Sequence, residues 1–272
     1  MNFTLNDNYK SACKIIAIII ILCLPGIASS TNETPKAVHV FVALCDNASQ
    51  GIVPVLPELG EGNNPRTNLY WGALYGVKTF FKQDKDWKLI KSISNRNDVI
   101  LETCVFKSIE QNVYLIADAY KGEKIKQSIH DFISAAGCNN KDTLPIDNLN
   151  ISIGGGADLV AYIGHNGLME FNLDTIPRSI GDCNKDAIVL ACASRFYFSS
   201  SFRINNVNPL LWTTGLMAPE AYTLEAALSG WVSGENKNQI AHRAAEAYSK
   251  YQKCSLKSAQ KLLVCGYDED NN

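Results

Sequence analysis

The sequence predicts an α/β fold, a three-layer sandwich around a mostly parallel β-sheet, and three observations carry that reading. Short apolar runs alternate with amphipathic stretches of helical period, strand then helix, along most of the chain. Several runs (VHVFVAL at 38–44, VYLIADA at 113–119, LVAYI at 159–163 and AIVLA at 187–191) have almost no polar alternation, as strands covered on both faces should. Three of these runs end in chemically useful side chains, Cys45-Asp46, His165 and Cys192, where open α/β sheets place their sites.

Taken in order, Val38–Leu44 is the first strand, rich in β-branched residues. Residues 48–68 hold Gly51, Pro54, Pro57, Gly60, Gly62 and Pro65 and read as a long loop. A helix is expected over Asn68–Lys82, with Leu69, Ala73, Val77 and Phe80 at helical spacing and Tyr70, Trp71 and Tyr75 filling its core face. Leu89–Ile93 and Val99–Phe106 flank the turn Asn95–Asp98 as a hairpin, and Val113–Ala119 follows as a buried strand. Gly122–Ala136 is an amphipathic helix stopped by Gly137. Asn139–Asn150 reads as a polar connector. The triplet Gly154–Gly156 precedes a strand, whereas a phosphate loop follows one, so nucleotide binding is not indicated. Beyond Cys192, helices are expected at Ser194–Arg203, Ala221–Ser229 and Gln239–Tyr251, with a strand at Leu210–Met217.

Composition limits the function classes. The chain has 272 residues, enough for one large domain, and a formal charge of −2. Lys10 and Lys14 precede the apolar run Ile15–Leu24 and the small-residue exit PGIASS, the pattern of a secretory signal peptide over residues 1–30. The remaining 31–272 reads as one domain. The apolar run is short for a membrane span, so any membrane contact is expected only through an uncleaved segment of this region. A nearly neutral protein lacks the basic footprint that nucleic-acid binding requires. Seven cysteines follow the signal: Cys45, Cys104, Cys138, Cys183, Cys192, Cys254 and Cys265. In an oxidising compartment that count allows three pairs and one leftover thiol; it is compatible with Cys192 being the free one, and equally with several of the seven being reduced core residues. No CxxC, no calcium-loop spacing and no zinc-ligand spacing around His242 is present, so neither a metal nor a cofactor is expected. His39 and His130 read as structural.

The chemistry concentrates between Asp158 and Ser194. His165 and Cys192 follow two successive apolar runs, so parallel pairing would bring them to one rim of the sheet as a base beside a nucleophile. Gly167 would let a substrate oxygen approach the backbone, and the Cys192 N–H would be a second donor. Asp46, at the end of the first strand, would lie on the same rim and could favour a basic substrate residue; Glu220 is the second candidate for that role. A non-catalytic binding protein using the same rim is the alternative.

IGHNG at 163–167 and LACAS at 190–194 resemble the motifs of the caspase-type cysteine peptidases (clan CD), which include exported bacterial members. The resemblance covers about 40 residues and implies a caspase/haemoglobinase-like fold. It implies a secreted or periplasmic endopeptidase acting on peptide or protein substrates, with Cys192 as nucleophile and His165 as general base or acid. The backbone amides of Gly167 and Cys192 would form the oxyanion hole. This chain departs from the pattern in placing Asn166 between the histidine and the glycine, which makes Asn166 a candidate donor in the glycine's place.

Overall fold

A computed structural model describes residues 34–267; the signal segment expected over residues 1–30 lies outside them. Eight strands form the central sheet. Strand β1 (Lys36–Ala43) lies near its middle, with β4 (Val113–Tyr120) parallel on one side and β7 (Leu159–Ile163) parallel on the other. Strand β8 (Asp186–Leu190) and then β9 (Asn208–Thr213) continue the parallel series beyond β7. The hairpin of β2 (Trp87–Ser94) and β3 (Ile100–Ser108) extends the other flank in antiparallel fashion, so the architecture is α/β with a mostly parallel mixed sheet.

Period-two alternation divides each strand between two cores. Val38, Val40 and Val42 of β1 face one layer, made by α1 (Val77–Gln83), α4 (Ala221–Val232) and α5 (Lys237–Gln252). Phe41 and Ala43 face the other, where α2 (Ile125–Ala136) and α3 (Ser194–Ile204) contribute Ile129, Phe132, Phe198 and Phe202. Both faces are therefore dry, and the apolar runs need no polar alternation.

Three local expectations change, and a fourth gains detail. The helix expected from Asn68 begins only at Val77, because Asn68 is fully buried and grips the Cys45 backbone, accepting from its N–H at 2.9 Å and donating to its carbonyl at 2.8 Å. That clamp winds residues 68–76 into turns. The connector 139–150 contains a two-stranded hairpin, β5 (Asp142–Ile146) with β6 (Leu149–Ile153), whose polar composition hid it. Helix α2 does stop at Gly137, but the left-handed residue is Cys138 (φ 60°), while Gly137 makes room for Asn205 and Asn139. The strand expected over Leu210–Met217 ends at Thr213, and Gly215 turns back to accept from the Ala193 N–H at 2.8 Å. A short α6 (Leu256–Leu262) and an edge strand β10 (Leu263–Val264), antiparallel to β9, were not legible.

One disulfide forms among the described residues, Cys138–Cys183, in place of three pairs. Cys45, Cys104, Cys192 and Cys254 are free thiols, so Cys192 is not a single leftover. No described helix is long and apolar enough to cross a membrane.

On α4, Glu225 lies against Asp84 and Asp86 at the end of α1, with the three carboxylates within 4.8 Å of one another. Burial, and then the two aspartates, push Glu225 up to about 7 from 4.5. Its folded value exceeds its unfolded one, so its favourable share of stability is complete below about pH 4.5 and disappears as pH rises through about 7. Glu225→Gln is expected to raise stability at alkaline pH by about 1–2 kcal/mol after screening and to change little in acid. Urea titrations at the two pH extremes measure the difference.

Candidate active site

The parallel strands run β4, β1, β7, β8, β9 across the sheet. From β1 the chain crosses to β4 on one side, then returns to β7 on the other. The order reverses between β1 and β7, and the crevice outside their carboxyl ends is where such sheets bind ligands. Cys45-Asp46 leaves β1 there, Gly164-His165 leaves β7, and Cys192 leaves β8 next door.

Register explains why His165 and Cys192 share this rim. Ile163 pairs with Leu190, and His165 and Cys192 each lie two residues beyond this last pair. Gly164 makes the exit possible: its φ is +149°, and a Cβ would come 3.3 Å from the Ala43 carbonyl. The His165 carbonyl accepts from the Tyr162 hydroxyl at 2.7 Å, which anchors the backbone below the ring. The imidazole Nε2 lies 2.5 Å from Glu170 Oε1, and the same oxygen accepts from the Gly51 N–H at 3.0 Å. A single 3₁₀ turn, Gly167–Met169, brings Glu170 back onto the histidine.

Cys192 is half-buried at the junction of β8 and α3. Ala193 caps the helix in a left-handed conformation (φ 48°, ψ 33°), an unusual state for a residue with a Cβ. Residues held there concentrate at functional turns. The Cys192 thiol sits against the Met217 backbone, accepting from its N–H at 3.4 Å and facing its carbonyl at 3.5 Å. The hydrogen bonds of His165 and Cys192 therefore run to different partners, and none joins the two side chains among the described residues.

The other expected site residues divide. Asn166 is fully buried; its amide donates to the Cys192 carbonyl at 2.6 Å and its oxygen accepts from the Leu168 N–H at 3.2 Å. Its side chain stitches the loop after β7 to the loop after β8. Gly167 is required by packing, since a Cβ would strike the Phe171 ring at 2.6 Å. Asp46 reaches the expected rim but closes its own loop, accepting from the Ala48 N–H at 2.9 Å and the Ser49 hydroxyl at 2.6 Å. With Gly62 and Gly122 pressed onto it, the carboxylate is buried. Glu220 accepts from the Tyr222 hydroxyl at 2.7 Å and from Gln252 Nε2 at 3.0 Å. Neither donor carries charge, and Glu220 follows the loop whose Met217 backbone meets the thiol.

Further residues adjoin these loops. Tyr70, expected on a helix core face, is buried and hydrogen-bonded to the Cys45 thiol, and burial raises its phenol well above the ordinary value. Burial likewise pushes Cys45 up to about 11, against the opposing Tyr70 hydrogen bond, and Cys104 up to about 12. Those two thiols stay protonated at neutral pH. Val53, Phe196 and Leu216, in the segments after β1, β8 and β9, are at least three-quarters exposed (87%, 80% and 75%). Exposed apolar side chains around a strand-end cleft suit a ligand with apolar groups of its own.

A separate polar cluster lies on the α2 face of the sheet. His39 Nε2 is 2.9 Å from Asp118, and His39 Nδ1 accepts from the Gly154 N–H at 3.0 Å. Arg96 reaches both Asp118 oxygens, at 3.0 and 3.3 Å, and Thr103 donates at 2.5 Å. Burial by itself would raise Asp118, but the bonds from His39 and Thr103 and the Arg96 charge outweigh it and hold the carboxyl below its ordinary value. Every member is partnered inside the cluster, which makes it a structural network. The structural reading of His39 fits it.

Comparison with protein-family models, curated proteins and solved structures finds no match to this chain.

Proposed function

We propose that this chain is an exported cysteine endopeptidase of caspase-like type, cutting peptide bonds with Cys192 as nucleophile and His165 as proton acceptor. The observation that carries the reading is the pairing of β7 with β8, which delivers an imidazole and a half-buried thiol to adjacent strand ends beside the topological switch point. Strand order alone is shared by many open α/β folds, so the rim chemistry bears the weight. Support for export comes from the signal-like amino terminus and from Cys138–Cys183, a bond that oxidising compartments sustain.

In the reaction, His165 takes the thiol proton as sulfur attacks the substrate carbonyl carbon. Collapse of the tetrahedral intermediate breaks the C–N bond, and the imidazolium returns its proton to the leaving amine. Water then attacks the thioester, giving it up as a carboxylate and restoring the Cys192 thiol. The resting side chains need to turn toward each other for the first step, as catalytic hydrogen bonds often tighten only with substrate bound. Glu220, whose donors among the described residues are both neutral, offers a contact for a basic substrate side chain.

Treatment of the purified protein with chloromethyl- and acyloxymethyl-ketone peptides, with the adduct mapped by mass spectrometry, tests this. Fast alkylation is expected at Cys192, absent in Cys192→Ala and slowed on the order of 100-fold by His165→Ala. The separate hydrogen-bond partners of His165 and Cys192 favour a second reading, a binding protein that holds a ligand on the same rim. Alkylation of Cys192 that is slow and indifferent to His165→Ala would establish that reading instead.

A further inference from the structure

We infer that Glu170 is a positioning residue for His165, fixing its tautomer and latching the loop after β1 to the histidine; this rests on the peptidase reading of the site. Nothing in the spacing of Glu170 announces such a role. It stands in the polar spacer between two strands, five residues beyond the histidine. The fold returns it deliberately: Asn166 caps the 3₁₀ turn, the Met169 N–H donates to the Asn166 carbonyl at 3.1 Å, and the Glu170 N–H donates to the Gly167 carbonyl at 2.9 Å. The turn thus ends with the carboxylate against the imidazole at 2.5 Å.

A carboxylate only accepts, so the ring nitrogen facing it carries the proton. His165 is thereby held as the Nε2–H tautomer, and Nδ1 keeps the lone pair that receives the Cys192 proton. Once the ring becomes imidazolium, the same carboxylate stabilises it, which is the work an acidic partner does for a catalytic histidine elsewhere. Both bonds converge on one oxygen, Oε1, because the Gly51 N–H donates to it as well. Gly51 is a glycine for this contact: a Cβ there would lie 2.4 Å from that oxygen. The long loop after β1 is consequently tied to the ring of His165. His165 is 10% and Glu170 33% exposed, so the pair is shielded on the histidine side and open on the carboxylate side.

The test uses the full chain and two independent readouts. Long-range ¹⁵N–¹H spectra at about pH 8.5, two units above the ordinary imidazole value, report the tautomer. Alkylation of Cys192 by the ketone probes reports the consequence. The wild type is expected to show the Nε2–H form. Glu170→Ala is expected to give a tautomer mixture and to slow alkylation at least about tenfold. Glu170→Gln keeps an oxygen for both donors and is expected to restore the Nε2–H form and most of the rate. If Glu170→Ala leaves tautomer and rate unchanged while His165→Ala still slows alkylation, the positioning role is overturned and the peptidase reading stands. If His165→Ala has no effect on alkylation, the peptidase reading fails. The tautomer of Glu170→Ala then decides by itself whether Glu170 orients the ring.

Discussion

Asp118→Ala is expected to destabilise the fold by about 3–5 kcal/mol, the cost of breaking a buried charge network from one side. The carboxylate is fully enclosed, and its loss strands three donors: His39 Nε2, the Arg96 guanidinium and the Thr103 hydroxyl. Arg96 then loses the carboxylate that both its contacts reach, and a half-buried charge without its partner is costlier than the lost bonds themselves. The acid side gives a second signature. Asp118 titrates below its ordinary 3.8, so the stability it contributes is present above that value and is lost as pH falls through its lower folded value. Asp118→Asn should therefore remove part of the wild-type chain's acid sensitivity while lowering stability at neutral pH. Urea titrations from neutral to strongly acid pH measure both. An unchanged midpoint at neutral pH would show that the cluster adds nothing to stability.

The second large effect concerns Cys138–Cys183. This bond closes a separation of 45 residues, which in the loop-entropy account stabilises by about 3–4 kcal/mol. The paired Cys138→Ala/Cys183→Ala variant should lose that amount, and dithiothreitol should take the wild type to the same melting temperature. The bond joins the end of α2 to the approach of β8, at the amino ends of the strands and so opposite the rim that carries Cys192. Alkylation of Cys192 in the still-folded variant should accordingly match the wild type. A reductant that also lowers the melting temperature of the double variant would implicate a second pair among the remaining thiols.

Much of the scaffold was legible because its signals are local. The continuous apolar runs marked β1, β4, β7 and β8, the Asn95–Asp98 turn marked the β2–β3 hairpin, and helical period marked α2, α4 and α5. Signals failed where the backbone answered to a distant partner. Asn68 looks like the start of a helix until it grips Cys45, and the β5–β6 hairpin is too polar to stand out from a connector. The same division holds at the rim. That His165 and Cys192 sit at strand ends follows from where the apolar runs stop, which any reader of the chain can see.

What the chain alone determined is therefore the identity of the layers and which residues arrive at the carboxyl rim. Side-chain period and apolar run length encode burial directly, without reference to the rest of the molecule. What only the tertiary structure decided is which polar groups are already satisfied. Asn166 and Asp46 read as available donors and acceptors, yet both are buried, Asn166 bonded across to the Cys192 carbonyl and Asp46 within its own loop. Glu170 read as solvated spacer and instead meets His165, while residues 39, 96 and 118 become one cluster. A hydrogen-bond partner is set by strand register and by where loops close, both properties of residues far apart in sequence, and no local pattern carries that information.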